Sequence, residues 1–205
     1  KGNDILMDPN QSYLLPTEII DSDHPAIVRY ARDIARHEDN ANGAGSLAVK
    51  LYMAVRDGIW YTPYYPFYLP EHYRASNVLK SGKGYCVSKA SLLCALGRAV
   101  RIPSRLGFAD VKNHLATKQL IDYLGSDLFV YHGYVEFYLS GKWIKATPAF
   151  NIELCERFNL KPLAFDGHND AVYHPFDIQG HRHMEYLSYR GEFRDVPIER
   201  IRETF

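Results

Sequence analysis

Apolar residues at Ile27, Tyr30, Ala31 and Ile34 recur at the spacing of a helix face. They predict an amphipathic helix over His24 to His37. Asp21, Ser22 and Asp23 stand where an N-cap belongs, and Pro25 suits a first turn. Asn40, Asn42, Gly43 and Gly45 end this helix. A second is expected from about Ser46, with Leu47, Leu51, Ala54 and Val55 inward and Gly58 as its stop. From Ile59 to Tyr73 the chain is dense in aromatic rings. Pro63, Pro66 and Pro70 exclude a helix there, so a ring-packing loop is expected. A short helix follows at Ala75 to Leu79. Residues Cys86 to Val100 then form the plainest helix of the chain. Only Ser88, Lys89, Ser91 and Arg98 interrupt its apolar surface, which predicts burial at the centre of the molecule.

Beyond that helix the period changes. Pro103 to Asp110 reads as a strand. From Tyr134 to Leu139 alternation is regular: Val135, Phe137 and Leu139 on one face, Tyr134, Glu136 and Tyr138 on the other. Ser140-Gly141 is a two-residue turn, so Lys142 to Thr147 should return as a hairpin partner. Asn151 to Phe158 predicts a short helix. The stretch from Lys161 to Phe205 is irregular, with a strand at Met184 to Tyr189 and a terminal helix after Pro197. Lys1 to Pro16 has no periodicity and is expected to be an arm or a short edge strand. Helices first and antiparallel strands afterwards make an α+β class. The 205 residues suffice for a single domain: residues 1–45 as arm and helix, 46–151 as core, and 152–205 as an extension packed on it.

Composition narrows the function. With 24 basic and 24 acidic residues the formal charge is zero, and no basic field suits a nucleic acid. No apolar run is long enough to span a bilayer. Three cysteines make no even-numbered disulfide framework, which favours a reducing, cytoplasmic setting. No cofactor is expected.

Among those cysteines, position singles out Cys86. It follows Gly82, Gly84 and a loop, and opens the buried helix. A helix N-terminus offers partial positive charge and unpaired N–H groups, which favour a thiolate and can hold an oxyanion. Cys94, among leucines, and Cys155, in a short amphipathic segment, read as packing residues. A thiolate in acyl chemistry needs a base. His132 stands at the head of the alternating strand, on the face of Glu136. Either residue read alone is equally compatible with a packing role.

The order of motifs carries more. Gly82-Lys83-Gly84-Tyr85-Cys86, the helix, and Arg101-Ile102-Pro103-Ser104-Arg105 resemble the core of the transglutaminase-like superfamily. So do His132, Trp143 and Thr147-Pro148-Ala149 downstream, and Val55 to Tyr61 upstream. The resemblance covers roughly Ser46 to Asn151. It implies a papain-like α+β fold with the nucleophile on a buried helix against an antiparallel sheet. It also implies a cysteine peptidase or amidase, or an acyltransferase, working on a peptide or other amide substrate through a thioester on Cys86. Cys86, His132 and Thr147 take the three catalytic positions, and Tyr61 matches the aromatic oxyanion donor, ahead of Trp60 and Tyr64.

One position departs from the pattern. Where the family has Asp, this chain has Thr147, which bears no charge to stabilise an imidazolium but can fix its tautomer. Asn151 or Asp166 could orient His132 instead, the first in a manner similar to papain-like enzymes. A non-catalytic peptide- or glycan-binding module built on the aromatic loop is the other reading. Finally, four histidines fall between His168 and His183, beside Asp170, Asp177 and Glu185. These are metal-ligand types, with His181 and His183 on one strand face, but their spacing matches no zinc motif. A polar loop folded over the domain is the plainer expectation.

Overall fold

A computed structural model describes residues 10–36, 43–173 and 175–204. His37, Asn40, Asn42, His174 and most of the expected N-terminal arm lie outside the described residues. The arm's remainder holds a 3-10 turn at Gln11–Leu14.

Helix α1 spans Pro25–Ala35 and buries Ile27 and Ala31. Its cap is His24, whose Nδ1 accepts from the Ala26 N–H at 3.2 Å, and not Asp21 or Ser22. Asp21 is engaged elsewhere: its carboxylate accepts from the Ser76 N–H at 3.0 Å, in the first turn of α3 (Ala75–Ser81). One helix is thus capped by a residue that adjoins another. Helix α2 (Gly43–Gly58) begins a little ahead of Ser46. The aromatic stretch contains no α-helix but does contain a strand. β1 (Trp60–Tyr61) pairs in parallel with β2 (Lys83–Gly84) just ahead of the helix that Cys86 opens.

That helix, α4 (Cys86–Ala99), is the centre of the molecule. Its expected polar stripe is buried along with the rest, because each polar group finds a partner. Ser88 Oγ accepts from the Tyr85 N–H at 2.9 Å, and Ser91 donates to the Val87 carbonyl at 3.0 Å. Lys89 and Arg98 donate to backbone carbonyls of other segments.

β3 (Ser104–Asn113), β4 (Leu128–Leu139), β5 (Lys142–Ala146) and β6 (Met184–Phe193) form one antiparallel sheet in the order β5-β4-β3-β6. Ser140 and Gly141, with φ of 50° and 84°, make the mirror-image turn that suits a twisted hairpin. Val135, Phe137, Ile144 and Ala146 face α4, while Tyr134, Glu136, Trp143 and Lys145 take the outer face. The sheet exceeds its sequence signal in two places. β6 runs four residues past Tyr189, and β4 begins at Leu128. Alternation upstream of His132 is masked by a bulge, in which Val130 and Tyr131 stand opposite the single residue Asp110. Tyr131 has φ of 51°, and its N–H donates to the Asp110 carboxylate at 3.1 Å. Helix α5 (Lys118–Leu124), capped by Thr117, fills a region with no marked pattern; α6 (Ile152–Arg157) and α7 (Ile198–Arg202) complete the order. Among the described residues no helix is long and apolar enough to cross a membrane.

Candidate active site

Cys86 is the first residue of α4, and β4 crosses directly over that turn. Gly133 allows this: a Cβ there would stand 3.0 Å from the Val87 Cα. The Gly133 N–H therefore reaches the Cys86 sulfur, beside the N–H groups of Cys86 and Val87. His132 precedes that glycine in β4, and Tyr173, whose ring meets His132, also borders Cys86. These N–H groups favour a thiolate, yet burial outweighs them and pushes the Cys86 thiol up to about 11. Burial likewise pushes His132 down to about 4. The two groups thus rest as neutral thiol and neutral imidazole.

Three tyrosines and one phenylalanine close this pair in. The Tyr173 ring meets His132 edge-on, centroids 4.9 Å apart. Phe150 lies 5.0 Å from Tyr173 and 4.9 Å from Tyr61. The Tyr186 hydroxyl accepts from the Tyr173 N–H at 3.4 Å. Cys86 keeps 8% of its surface exposed and His132 2%. Neither ring nitrogen of His132 has a hydrogen-bond partner among the described residues, nor has the Thr147 hydroxyl.

A model of the transglutaminase-like superfamily matches residues 28–148, more than half of the chain. The chain belongs to the transglutaminase-like superfamily. No curated protein matches it. Among solved structures it is similar to a candidate cysteine protease from Cytophaga hutchinsonii, at 16% identity and a TM-score of 0.50. That match covers 88% of this chain and 53% of the other, so the chain spans about half the relative's length. A candidate protease from Parabacteroides distasonis shares 16% identity, covering 63% of this chain and 26% of that one, with a TM-score of 0.43. The periplasmic domain of TgpA from Pseudomonas aeruginosa shares 19%, covering 70% and 48%, with a TM-score of 0.46. The first likeness is one of fold: α+β, a buried helix against an antiparallel sheet.

In this transglutaminase-like chain the other expected site residues divide. Thr147 follows β5, whose register sets Val135 against Ala146 and so carries Thr147 toward Tyr134, one step along from His132 on the outer face. Asn151 does not orient His132, because its amide is spent elsewhere. Its Nδ2 donates to the carbonyls of Arg56 (2.6 Å) and Ile59 (2.8 Å), and its Oδ1 accepts from the Tyr61 N–H at 2.6 Å. Asp166 is exposed and accepts from the His168 and Asn169 N–H groups, both at 2.8 Å, in a turn of its own. Tyr61 borders Cys86, and burial pushes its hydroxyl above the ordinary range. Trp60 and Tyr64 are exposed, the latter against Tyr123. Trp143 lies away from the thiol, under the Arg105 guanidinium at 4.2 Å.

His181 and His183 do not share a strand face. They precede β6, and one is exposed on Asp177 (2.9 Å) while the other is buried beside Phe150 and Tyr173. Among the described residues no group of three or more His, Cys, Asp or Glu is placed to hold a metal. Sequence reading missed Tyr173, Tyr186 and the Gly133 N–H. Only the glycine beside the histidine gave a signal, since close backbone approach needs one.

Proposed function

We propose that this chain is a cysteine-dependent amide hydrolase, a peptidase or amidase acting through a thioester on Cys86. What supports the reading is the crossing of β4 over the first turn of α4, which sets the Gly133 N–H on the Cys86 sulfur, with His132 the residue before it and Tyr173 next to both side chains. His132 takes the thiol proton as the sulfur bonds to the amide carbon. The oxyanion takes the N–H groups of the helix start, with Tyr61 as the side-chain donor. The amine leaves with the proton from His132, and a thioester remains on Cys86. Water, deprotonated by His132, then releases the acid and the free thiol. An amine in place of water makes the same steps an acyl transfer.

Thr147 is the group nearest in chain order to the family's third position. Its hydroxyl would orient the ring without charging it, so imidazolium formation gains less here than beside a carboxylate. Hydrolysis of amide-bond reporter peptides tests the reading, with the acyl adduct on Cys86 read by mass spectrometry. Cys86→Ala should lower the rate at least about a thousandfold and abolish the adduct. A fully active Cys86→Ala protein sinks the mechanism. Inert Cys86 toward every thiol reagent, with the peptide still bound, supports a binding module instead.

A further inference from the structure

β5 is an edge strand, with β4 on one side only. Its outward backbone groups are nonetheless taken. The Ala171 N–H donates to the Lys145 carbonyl at 2.8 Å, and the Thr147 N–H donates to the Ala171 carbonyl at 3.1 Å. The Lys145 N–H donates to the Asp170 carboxylate at 2.9 Å. This is a parallel bridge between Ala146 and Ala171, so the covering segment runs in the direction of β5. Two residues beyond the bridge comes Tyr173, whose ring lies on His132.

Nothing regular holds the segment in place. Residues 160–170 form neither helix nor strand. They are tied down at Leu163, whose carbonyl accepts from the Tyr52 hydroxyl (3.1 Å) and from Arg56 (2.7 Å), and at Gly167, which rests on the Gly45 backbone. Leu163, Phe165, Ala171 and Tyr173 add buried side chains to that hold, but with one bridge and no ladder the segment opens more readily than the sheet it covers. An uncovered strand edge in turn recruits extended chains through its backbone groups.

We infer that the free side of β5 is a docking edge for an extended peptide, and that residues 170–173 occupy it as an internal substitute, with Tyr173 in the place of the residue presented to His132. This rests on the cysteine-hydrolase reading and adds a substrate class and a form of control to it. The substrate runs parallel to β5, places a small residue opposite Ala146, and carries an aromatic or large apolar residue two positions later. The chain is shut until residues 170–173 lift from the edge. Tyr173 and Ala171 hold the site closed and take no part in the chemistry.

Alkylation of Cys86 by iodoacetamide, located by peptide mass, tests this in the whole chain. Tyr173→Ala removes the ring, and Ala171→Pro removes the N–H that bonds Lys145. Each should raise the labelling rate at least about tenfold, with Cys94 and Cys155 still protected as the sign of an intact fold. A synthetic peptide of residues 166–173 should slow the labelling of the Ala171→Pro protein again, and the same peptide lacking the tyrosine ring should not. Slow labelling in both folded variants, or no effect of the peptide at millimolar concentration, overturns the docking edge.

Should both variants unfold, hydrogen exchange on the unaltered protein decides. The Ala171 and Thr147 amides should exchange at least about a hundredfold faster than those of Val135 and Phe137, and equal protection overturns the inference. Adding His132→Ala to Tyr173→Ala separates this inference from the reading it rests on. Fast labelling indifferent to His132 would overturn the catalytic reading while leaving the docking edge in place.

Discussion

At the scale of single residues, three of the four buried side-chain polar atoms without a partner among the described residues belong to His132 and Thr147. A buried group left unpaired costs about 1–3 kcal/mol, so the molecule concentrates that cost where chemistry is expected. Thr147→Val, nearly isosteric, should leave stability unchanged or raised and lower kcat no more than about tenfold. His132→Ala should lower it about a thousandfold or more. Equal losses in steady-state kinetics would make the threonine indispensable.

The buried imidazole also sets a pH dependence. The unfolded chain binds a proton near the ordinary value of 6.5, and the folded chain only near 4. Between those values the unfolded state holds more protons, so stability is intact above pH 6.5 and declines as pH falls through the window. The full effect is on the order of 3 kcal/mol. His132→Phe should flatten that decline in urea titrations at pH 7.5 and 4.5; an unchanged decline would mean that the ring is hydrated. The place of Cys86 at the head of a buried helix was legible in the sequence because two glycines and a loop precede an apolar helix. Tyr173 was not, since it lies in a stretch without periodicity and acts through a contact forty-one positions from His132.

Among the elements, one of the two shortest strands places Tyr61. β1 is two residues long, and its two pairs to β2 cannot hold it alone. Two buried side chains grip the turn that launches it. Lys89 Nζ donates to the Arg56 and Ile59 carbonyls at 2.9 and 2.5 Å, and Asn151 Nδ2 donates to the same two carbonyls. Asn151 Oδ1 fixes the Tyr61 N–H as well. Asn151→Ala strands that N–H and should cost about 2–3 kcal/mol in urea unfolding. It should also lower kcat, as Tyr61 drifts from Cys86. Undiminished stability would show that β2 alone holds β1. Sequence pattern missed this strand because three prolines and clustered rings speak for a loop, while a parallel pairing of two residues leaves no period. It caught the Ser140-Gly141 hairpin because the turn chemistry and alternation on both sides agree.

For the molecule as a whole, Arg98 joins segments that the sequence keeps far apart. From the buried face of α4 its guanidinium donates to the carbonyls of Ser104 (3.0 Å), Leu15 (2.9 Å) and Arg194 (2.7 Å). Arg98→Met would leave three carbonyls without their charged donor. It should cost at least about 3 kcal/mol and expose the chain near Leu15 and Arg194 to limited proteolysis, with Cys86 labelling as the control for the core. A lysine there has one ammonium for three directions and should rescue little. The α+β layout was readable because every long helix and the central strands carry their own period, α5 being the helix without one. The closure of the site was not, because it depends on the return of an irregular segment to β5.

The bulge ahead of His132 has a consequence of its own. It resets the alternation of β4 one residue before the histidine, with Asp110 clasping the Tyr131 N–H. The excursion between Asn113 and Leu128 therefore sits upstream of the point where the strand's phase is fixed. Lengthening or shortening it leaves the heading of His132 untouched, whereas the loss of one residue from Val130-Tyr131 would exchange the faces of Leu128 and Phe129, the unbroken pairs from Ala109–His132 to Ser104–Phe137 keeping the imidazole in phase.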